Sequence, residues 1–235
     1  MPIDHVEFVE SWYERLVSRT NEKEILPEAV LSHLSEQRYG SCLEIGLGTA
    51  PIFAQRLVDR FDTYRIIEKR PLKITLPKNA SFIESDWESY EGLERYDVII
   101  ASHVIYYFRE KNQAIQKMFE RLKPGGRIFI VVNGKDSDYG SLKEAFSRLI
   151  GQPYRFTYDE VKDILRKESY SEHSVSSAVG FQSAEDLFET LRLSFDQYPE
   201  EYEVHKPELL AYFRDHLVAD RLMINQVIFE VRKNS

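Results

Sequence analysis

The sequence predicts an α/β fold: a mostly parallel sheet with helices on both faces and a helical cap. Three observations predict it. Short apolar strand candidates alternate with helical patterns as far as Asn133, the arrangement that builds a parallel sheet covered on both faces. A glycine turn at residues 46–48 joins the first strand candidate to a helix. Beyond Asn133 the rhythm changes to consecutive helices lying between two late strands.

Val6, Val9, Trp12 or Tyr13, and Leu16 recur at helical spacing, so the first twenty residues read as an amphipathic helix with an aromatic face. A second helix is predicted over 24–36. Residues 41–45 read as a short buried strand that stops at Gly46, and Pro51 suits the first turn of the helix that follows to about Arg60. Further strands are predicted at 64–68, 81–84, 96–101 and 127–132, with a helix over 111–122 and a Pro-Gly-Gly turn at 124–126 before the fifth strand. Helices are then expected over 141–149 and from Thr157, whose Thr-Tyr-Asp-Glu start resembles a capping box. A strand at 170–178, a helix capped near Ser183, a helix at 207–220 and a last strand at 227–231 complete the chain. The expected divisions are a helical lid at 1–38, a core at 39–134 and a cap with the final strands at 135–235.

The 235 residues fit one well-formed core with an appendage. With 43% hydrophobic and 30% charged residues the chain is too apolar to be disordered. A net charge of −8 opposes binding to a polyanion, which needs Lys and Arg against phosphates, so no nucleic-acid partner is expected. The longest apolar runs are far shorter than the roughly 18 residues that span a bilayer, so no membrane partner is expected either. The single cysteine, Cys42, excludes an internal disulfide framework and reads as a small core residue. With no charged-then-apolar leader opening the sequence, the expected compartment is the cytoplasm. His33, His173, His205 and His216 lack metal-ligand spacing with cysteines or carboxylates, so no metal site is expected.

The informative stretch is Glu44-Ile45-Gly46-Leu47-Gly48-Thr49-Ala50-Pro51. Gly46 and Gly48 permit a tight turn and close approach of a ligand. A dinucleotide fingerprint needs a third glycine where Pro51 stands, which disfavours a nicotinamide oxidoreductase, and nothing after Gly46 supplies the Gly-Lys-Ser/Thr of a nucleotide-hydrolysing loop. What remains is an acidic residue before a Gly-x-Gly turn, followed at the end of the next strand by Glu68, where a carboxylate can accept both ribose hydroxyls.

This pattern resembles the cofactor motif of class I S-adenosylmethionine-dependent methyltransferases, Rossmann-like proteins with a seven-stranded sheet. Ser85-Asp86-Trp87 looks like the adenine-side acidic position, 96–101 like the fourth strand and Leu122-Lys123-Pro124-Gly125-Gly126 like the turn before the fifth. The resemblance implies S-adenosylmethionine as cofactor and Glu44, Gly46, Gly48, Glu68, Asp86, Trp87 and Ser102 as its contacts. Asp86 has an Asx turn as its alternative role, and Trp87 ordinary partial burial.

His5, Phe8-Val9-Glu10-Ser11, Tyr106-Tyr107 and Asn225 narrow the resemblance to the histamine N-methyltransferase family. That resemblance implies that the N-terminal and late helices enclose a small amine. It places His103 where the family carries a pocket glutamine and Asn225 where it carries a substrate-binding asparagine. The family's substrate carboxylate falls at Asn21, with Glu22 beside it. The candidate catalytic residues are therefore His103 and Tyr106, and the candidate substrate contacts are Phe8, Trp12, Glu22, His103, Tyr107 and Asn225. His103 alternatively hydrogen-bonds nearby backbone, and Phe8 and Trp12 alternatively pack in the core. The expected activity is methyl transfer to a nitrogen of a small amine or imidazole-like molecule. Alternatives are O-methylation of a natural product, methylation of a protein, and a nonenzymatic S-adenosylmethionine-binding module.

Overall fold

Consecutive apolar residues in the strands send side chains to alternate faces, and here both faces are buried. Leu43, Ile45, Ile99, Ala101, Ile128 and Ile130 enter one apolar cluster, while Cys42, Ile66, Val98, Ile100, Phe129 and Val131 enter another. That two-sided burial is why the strands read as continuous apolar runs.

The computed structural model describes residues 9–48, 51–72, 74–217 and 220–233. In chain order the elements are α1 (Glu10–Arg19), α2 (Glu22–His33), β1 (Tyr39–Ile45), α3 (Ile52–Leu57), β2 (Phe61–Glu68), β3 (Ala80–Glu84), β4 (Tyr96–Ser102), α4 (Lys111–Glu120), β5 (Leu122–Asn133), α5 (Asp138–Ile150), α6 (Thr157–Leu165), β6 (Tyr170–Gly180), α7 (Ala184–Thr190), α8 (Pro199–Val204), α9 (Lys206–His216) and β7 (Arg221–Arg232). Short 3₁₀ turns lie at Val58–Arg60, Ile105–Tyr107 and Arg192–Phe195. Among the described residues the strands form one seven-stranded sheet in the order β3-β2-β1-β4-β5-β7-β6, with β3 and β6 at its margins. The pairs β1–β2, β2–β3, β1–β4 and β4–β5 are parallel.

The chain divides into two compact units. One comprises the chain up to Lys23, Asn133–Phe156 and Ser176–Gln226; the other comprises Glu24–Val132, Thr157–Val175 and the chain from Val227. Each unit thus draws on separated segments, where the sequence suggested consecutive blocks. Most of α2 belongs with the sheet residues, because Leu26 and Val30 bury against the cluster that holds Cys42 and Tyr64. The first unit has its own aromatic core, in which Tyr202 is stacked between Phe188 at 4.3 Å and Phe195 at 4.5 Å. Arg15 and Arg19 of α1 both reach Asp186 of α7 within this unit.

Three local differences from the sequence reading have physical causes. The Pro-Gly-Gly turn lies inside β5 as a bulge: between Tyr96↔Leu122 and Val98↔Arg127, β4 advances two residues while β5 advances five. The helix expected over 207–220 is preceded by a separate α8, started by Pro199 at its first turn. β7 begins at Arg221, six residues early, because Leu222 and Ile224 bury with the aromatic core of the first unit. The expected serine cap is present, with Ser183 Oγ accepting from the Asp186 N–H at 3.1 Å.

Candidate active site

Parallel pairing aligns the carboxyl ends of β1, β2 and β4, since Ile45 is registered with both Ile67 and Ala101. The strand order reverses its direction of growth between β1 and β4, and ligands of open α/β sheets bind outside the carboxyl ends at such a reversal. Gly46, Gly48, Glu68, Ser102 and His103 all follow or end these strands.

The turn after β1 requires its glycines. Gly46 has φ 78° and Gly48 has φ 66°, a region that residues with a Cβ rarely enter. A Cβ on Gly46 would also lie 2.7 Å from Val104 Cγ2, so the turns after β1 and β4 pack directly on each other. Glu68 fastens this turn. Its Oε2 accepts from the N–H groups of Leu47 at 3.0 Å and Gly48 at 3.3 Å. Its Oε1 accepts from the Arg70 backbone N–H and from Arg70 Nε, both at 3.1 Å. Four donors therefore converge on a carboxylate that is 8% exposed, which fills about four lone-pair sites. A ribose diol could reach this carboxylate only in place of the Arg70 side chain, the one donor of the four that is not backbone. Arg70 escaped the sequence reading, although it stands two residues after the acid.

Glu44, expected as a cofactor contact, is engaged by the protein itself. It is 3% exposed and accepts from Tyr64 Oη at 2.8 Å. The Ala54 backbone N–H in the first turn of α3 also reaches it. Pro51 cannot supply a side-chain cap to α3, so Glu44 takes that place from the neighbouring strand. Burial pushes its carboxyl up to about 7, against the lowering effect of both hydrogen bonds.

Two other expected cofactor contacts also have partners within the protein. Asp86 Oδ1 accepts from the Glu88 N–H at 2.9 Å, which is the Asx turn. Trp87 is a core residue, 2% exposed, with its indole N–H donated to the Ala114 carbonyl at 3.0 Å and Lys117 Nζ 5.0 Å above its ring. Ordinary burial, the alternative role for this residue, accounts for these contacts.

At the end of β4 the chain turns abruptly. His103 is held at φ 51°, one of two non-glycine residues with positive φ among those described, and its N–H donates to the Val131 carbonyl at 3.0 Å. Strain of this kind concentrates at functional sites. The His103 ring stacks on Tyr106 with an interplanar angle of 12°, and its Nδ1 lies 3.3 Å from Tyr106 Oη. Tyr107 stands edge-on to Tyr106. Ser102, His103, Tyr106 and Tyr107 are all half-buried.

The remaining candidates belong to the first unit, apart from Phe8, which lies outside the described residues. Trp12 is half-buried on α1. Asn21 is tied to β6: its Oδ1 accepts from the Ala178 N–H at 2.9 Å. Glu22 Oε1 accepts from Gln226 Nε2 at 2.6 Å, and the same amide donates to Ser177 Oγ at 2.9 Å. Asn225 is half-buried, and its carbonyl accepts from the Gly134 N–H at 2.7 Å. Gln226, fully buried beside Asn225, is thus the residue that meets Glu22, and strand alternation is the signal that separates the two.

Lys143 is a further residue that periodicity concealed. It is 0% exposed, with Nζ 3.8 Å from the Phe195 ring centroid, 4.5 Å from that of Tyr154 and 5.2 Å from that of Tyr139. Burial pushes its ammonium well below the ordinary lysine range, and Asp196 opposes that shift.

Among the described residues no helix is long and apolar enough to cross a membrane. A family profile described as a methyltransferase domain matches residues 9–176. Malonyl-[acyl-carrier protein] O-methyltransferase 2 of Ilyobacter polytropus is 30% identical over 116 residues, which cover 46% of this chain and 44% of that protein. The chain therefore spans less than half the length of that relative. In fold, the chain is similar to N-methyltransferase NodS of Bradyrhizobium japonicum WM9 in complex with S-adenosyl-L-homocysteine, at TM-score 0.55 and 16% identity over 96% of this chain and 98% of that one. It is also similar to YcgJ of Bacillus subtilis, at TM-score 0.61 and 12% identity over 89% and 99%. The glycine turn, the acid at the end of β2 and the matched profile lead to one assignment: the chain belongs to the methyltransferase-domain family, as a class I enzyme of Rossmann-like fold with S-adenosylmethionine as its cofactor.

Proposed function

We propose that the protein transfers the methyl group of S-adenosylmethionine to a nitrogen of a small amine or imidazole-like molecule. The observation that carries this reading is His103, a basic side chain held in a strained turn at the carboxyl end of β4 and oriented by Tyr106. S-adenosylmethionine, when bound, supplies an electrophilic methyl group on a sulfonium. The Gly46–Gly48 turn and Glu68 would hold it, Glu68 accepting from the ribose hydroxyls in place of the Arg70 side chain. An amine attacks only when neutral, so a nearby imidazole that takes the ammonium proton is useful where a dedicated nucleophile is not. The Tyr106 hydroxyl at Nδ1 holds the ring in place. Most of the acceleration comes from holding the acceptor nitrogen at near-attack distance. The acidic net charge and the aromatic rings of Tyr106 and Tyr107 suit a cationic acceptor. The resemblance of Tyr106-Tyr107 and Asn225 to the histamine N-methyltransferase family, with His103 standing where that family carries a glutamine, supports the same class.

A second reading is O-methylation, supported by the O-methyltransferase among the relatives. An amine library and an alcohol and carboxylic-acid library, each scored by S-adenosylhomocysteine release and product mass spectra, separate the two. Replacing His103 with alanine should lower turnover on the best amine by about 10²-fold or more, with cofactor affinity kept. Turnover and pH profile unchanged from the parent would remove His103 from the chemistry.

A further inference from the structure

The histidines show no metal-ligand spacing in the sequence, yet the fold brings two of them to a carboxylate. His33 at the end of α2, His173 on β6 and Glu230 on β7 each offer one ligand atom, and these atoms all lie within 4.8 Å of one another. All three residues belong to the second unit. We propose that His33, His173 and Glu230 form a binding site for a transition-metal dication of the Zn²⁺ type, apart from the methyl-transfer site.

The geometry is close to that of a coordination sphere. His173 Nε2 lies 3.2 Å from Glu230 Oε2. Tetrahedral zinc with bonds of ~2.0–2.1 Å holds its ligand atoms ~3.3 Å apart, so this pair already stands at ligand spacing. The His33 and His173 rings stack with centroids 3.7 Å apart, and modest rotation of two half-buried rings brings the third atom in.

The carboxylate is prepared from behind. Glu230 is 4% exposed, and its other oxygen, Oε1, accepts from Arg232 Nε at 2.9 Å and from an Arg127 terminal nitrogen at 3.3 Å. That same Arg127 nitrogen donates to the His33 carbonyl at 2.6 Å, tying the end of α2 into the cluster. Oε2 is thereby aimed at the imidazoles as a one-oxygen ligand, the kind of outer support that orients ligands in metal sites. Two imidazoles and one carboxylate suit Zn²⁺, Ni²⁺ or Cu²⁺ rather than Mg²⁺ or Ca²⁺, which prefer all-oxygen sets. The two guanidiniums oppose a third cation, so the affinity belongs in the micromolar range and not at the strength of a closed structural zinc site. A bound ion would pin the end of α2 to the two last strands.

The test uses tag-free full-length protein stripped with a chelator and titrated with ZnCl₂ by calorimetry, with MgCl₂ as the comparison. The expected result is one zinc ion per chain at micromolar affinity, a zinc-dependent rise in Tm, and no saturable binding of magnesium. His33→Gln and His173→Gln should each weaken zinc by ~10–100-fold, while their Tm without zinc stays near that of the parent. Absence of saturable binding up to millimolar zinc, or affinity unchanged in both variants, overturns the proposal. Cofactor binding measured on the same samples reports separately on the methyltransferase site.

Discussion

Replacing Glu44 with glutamine tests whether this carboxylate is an internal cap or a ligand contact. Burial raises its carboxyl from an ordinary 4.5 to about 7, so the native state holds a proton that the unfolded chain has released between those values. The sign follows: the stability tied to Glu44 is fully present below about pH 4.5 and is lost as pH rises through about 7. At ~1.4 kcal/mol per pH unit the whole loss is about 3 kcal/mol, most of it falling between pH 5 and pH 8.5. Glutamine cannot ionise, so the variant escapes this loss. It keeps an acceptor for Tyr64 or Ala54, but its NH₂ brings one donor more than the protonated carboxyl has, which costs about 1 kcal/mol. In urea denaturation, Glu44→Gln should be less stable than the parent at pH 5 and more stable at pH 8.5. A difference between variant and parent that is the same at both pH values, within about 0.5 kcal/mol, would refute the buried-cap account. The S-adenosylmethionine affinity of the folded variant should stay within a few-fold of the parent.

Three further outcomes are expected. Gly46→Ala should cost about 1–3 kcal/mol from backbone strain alone, with more from the Val104 contact. Adding Val104→Ala should recover only the contact part in thermal melts. Arg70→Ala should leave cofactor affinity equal or a few-fold tighter, because the side chain competes for Glu68 Oε1, whereas Glu68→Ala should weaken it at least about tenfold; equal losses in calorimetry would make Arg70 a true cofactor contact. Trp87→Ala should destabilise by about 3–5 kcal/mol as a core truncation, and the milder Trp87→Phe should bind cofactor as the parent does. A large affinity loss in well-folded Trp87→Phe would restore adenine stacking.

The sheet was readable because its strands are apolar on both sides and its turns carry glycine or proline at fixed places. Glu68 and the Gly46–Gly48 turn were readable for the same reason, since their roles depend on local spacing. Trp87 and Glu44 show where spacing stops short. A tryptophan after a strand reads alike whether it faces a ligand or the core, and its bond to the Ala114 carbonyl, 27 residues away, is invisible to spacing. Glu44 needed Tyr64 and Ala54 from two other elements before its role appeared. The cluster of His33, His173 and Glu230 joins residues from the two ends of the chain, beyond any motif window. The first unit was the least legible part, because Lys143 and Gln226 are polar residues on apolar faces, where periodicity counts them as errors.

The margins of the sheet carry a consequence for the protein in concentrated solution. An unpaired strand is a template for another molecule's strand. Here β3 is only five residues long, too short to recruit a partner firmly. β6 is long, but its first half reads Tyr-Ser-Glu-His-Ser and carries the Lys162–Glu172 ion pair. A second copy approaching that margin would have to strip water from a carboxylate, an imidazole and several hydroxyls. The polar lettering that makes β6 a poor strand by propensity is thus a guard against fibrous association, and replacing Glu172 and His173 together with valine should make the chain more prone than the parent to aggregate on refolding.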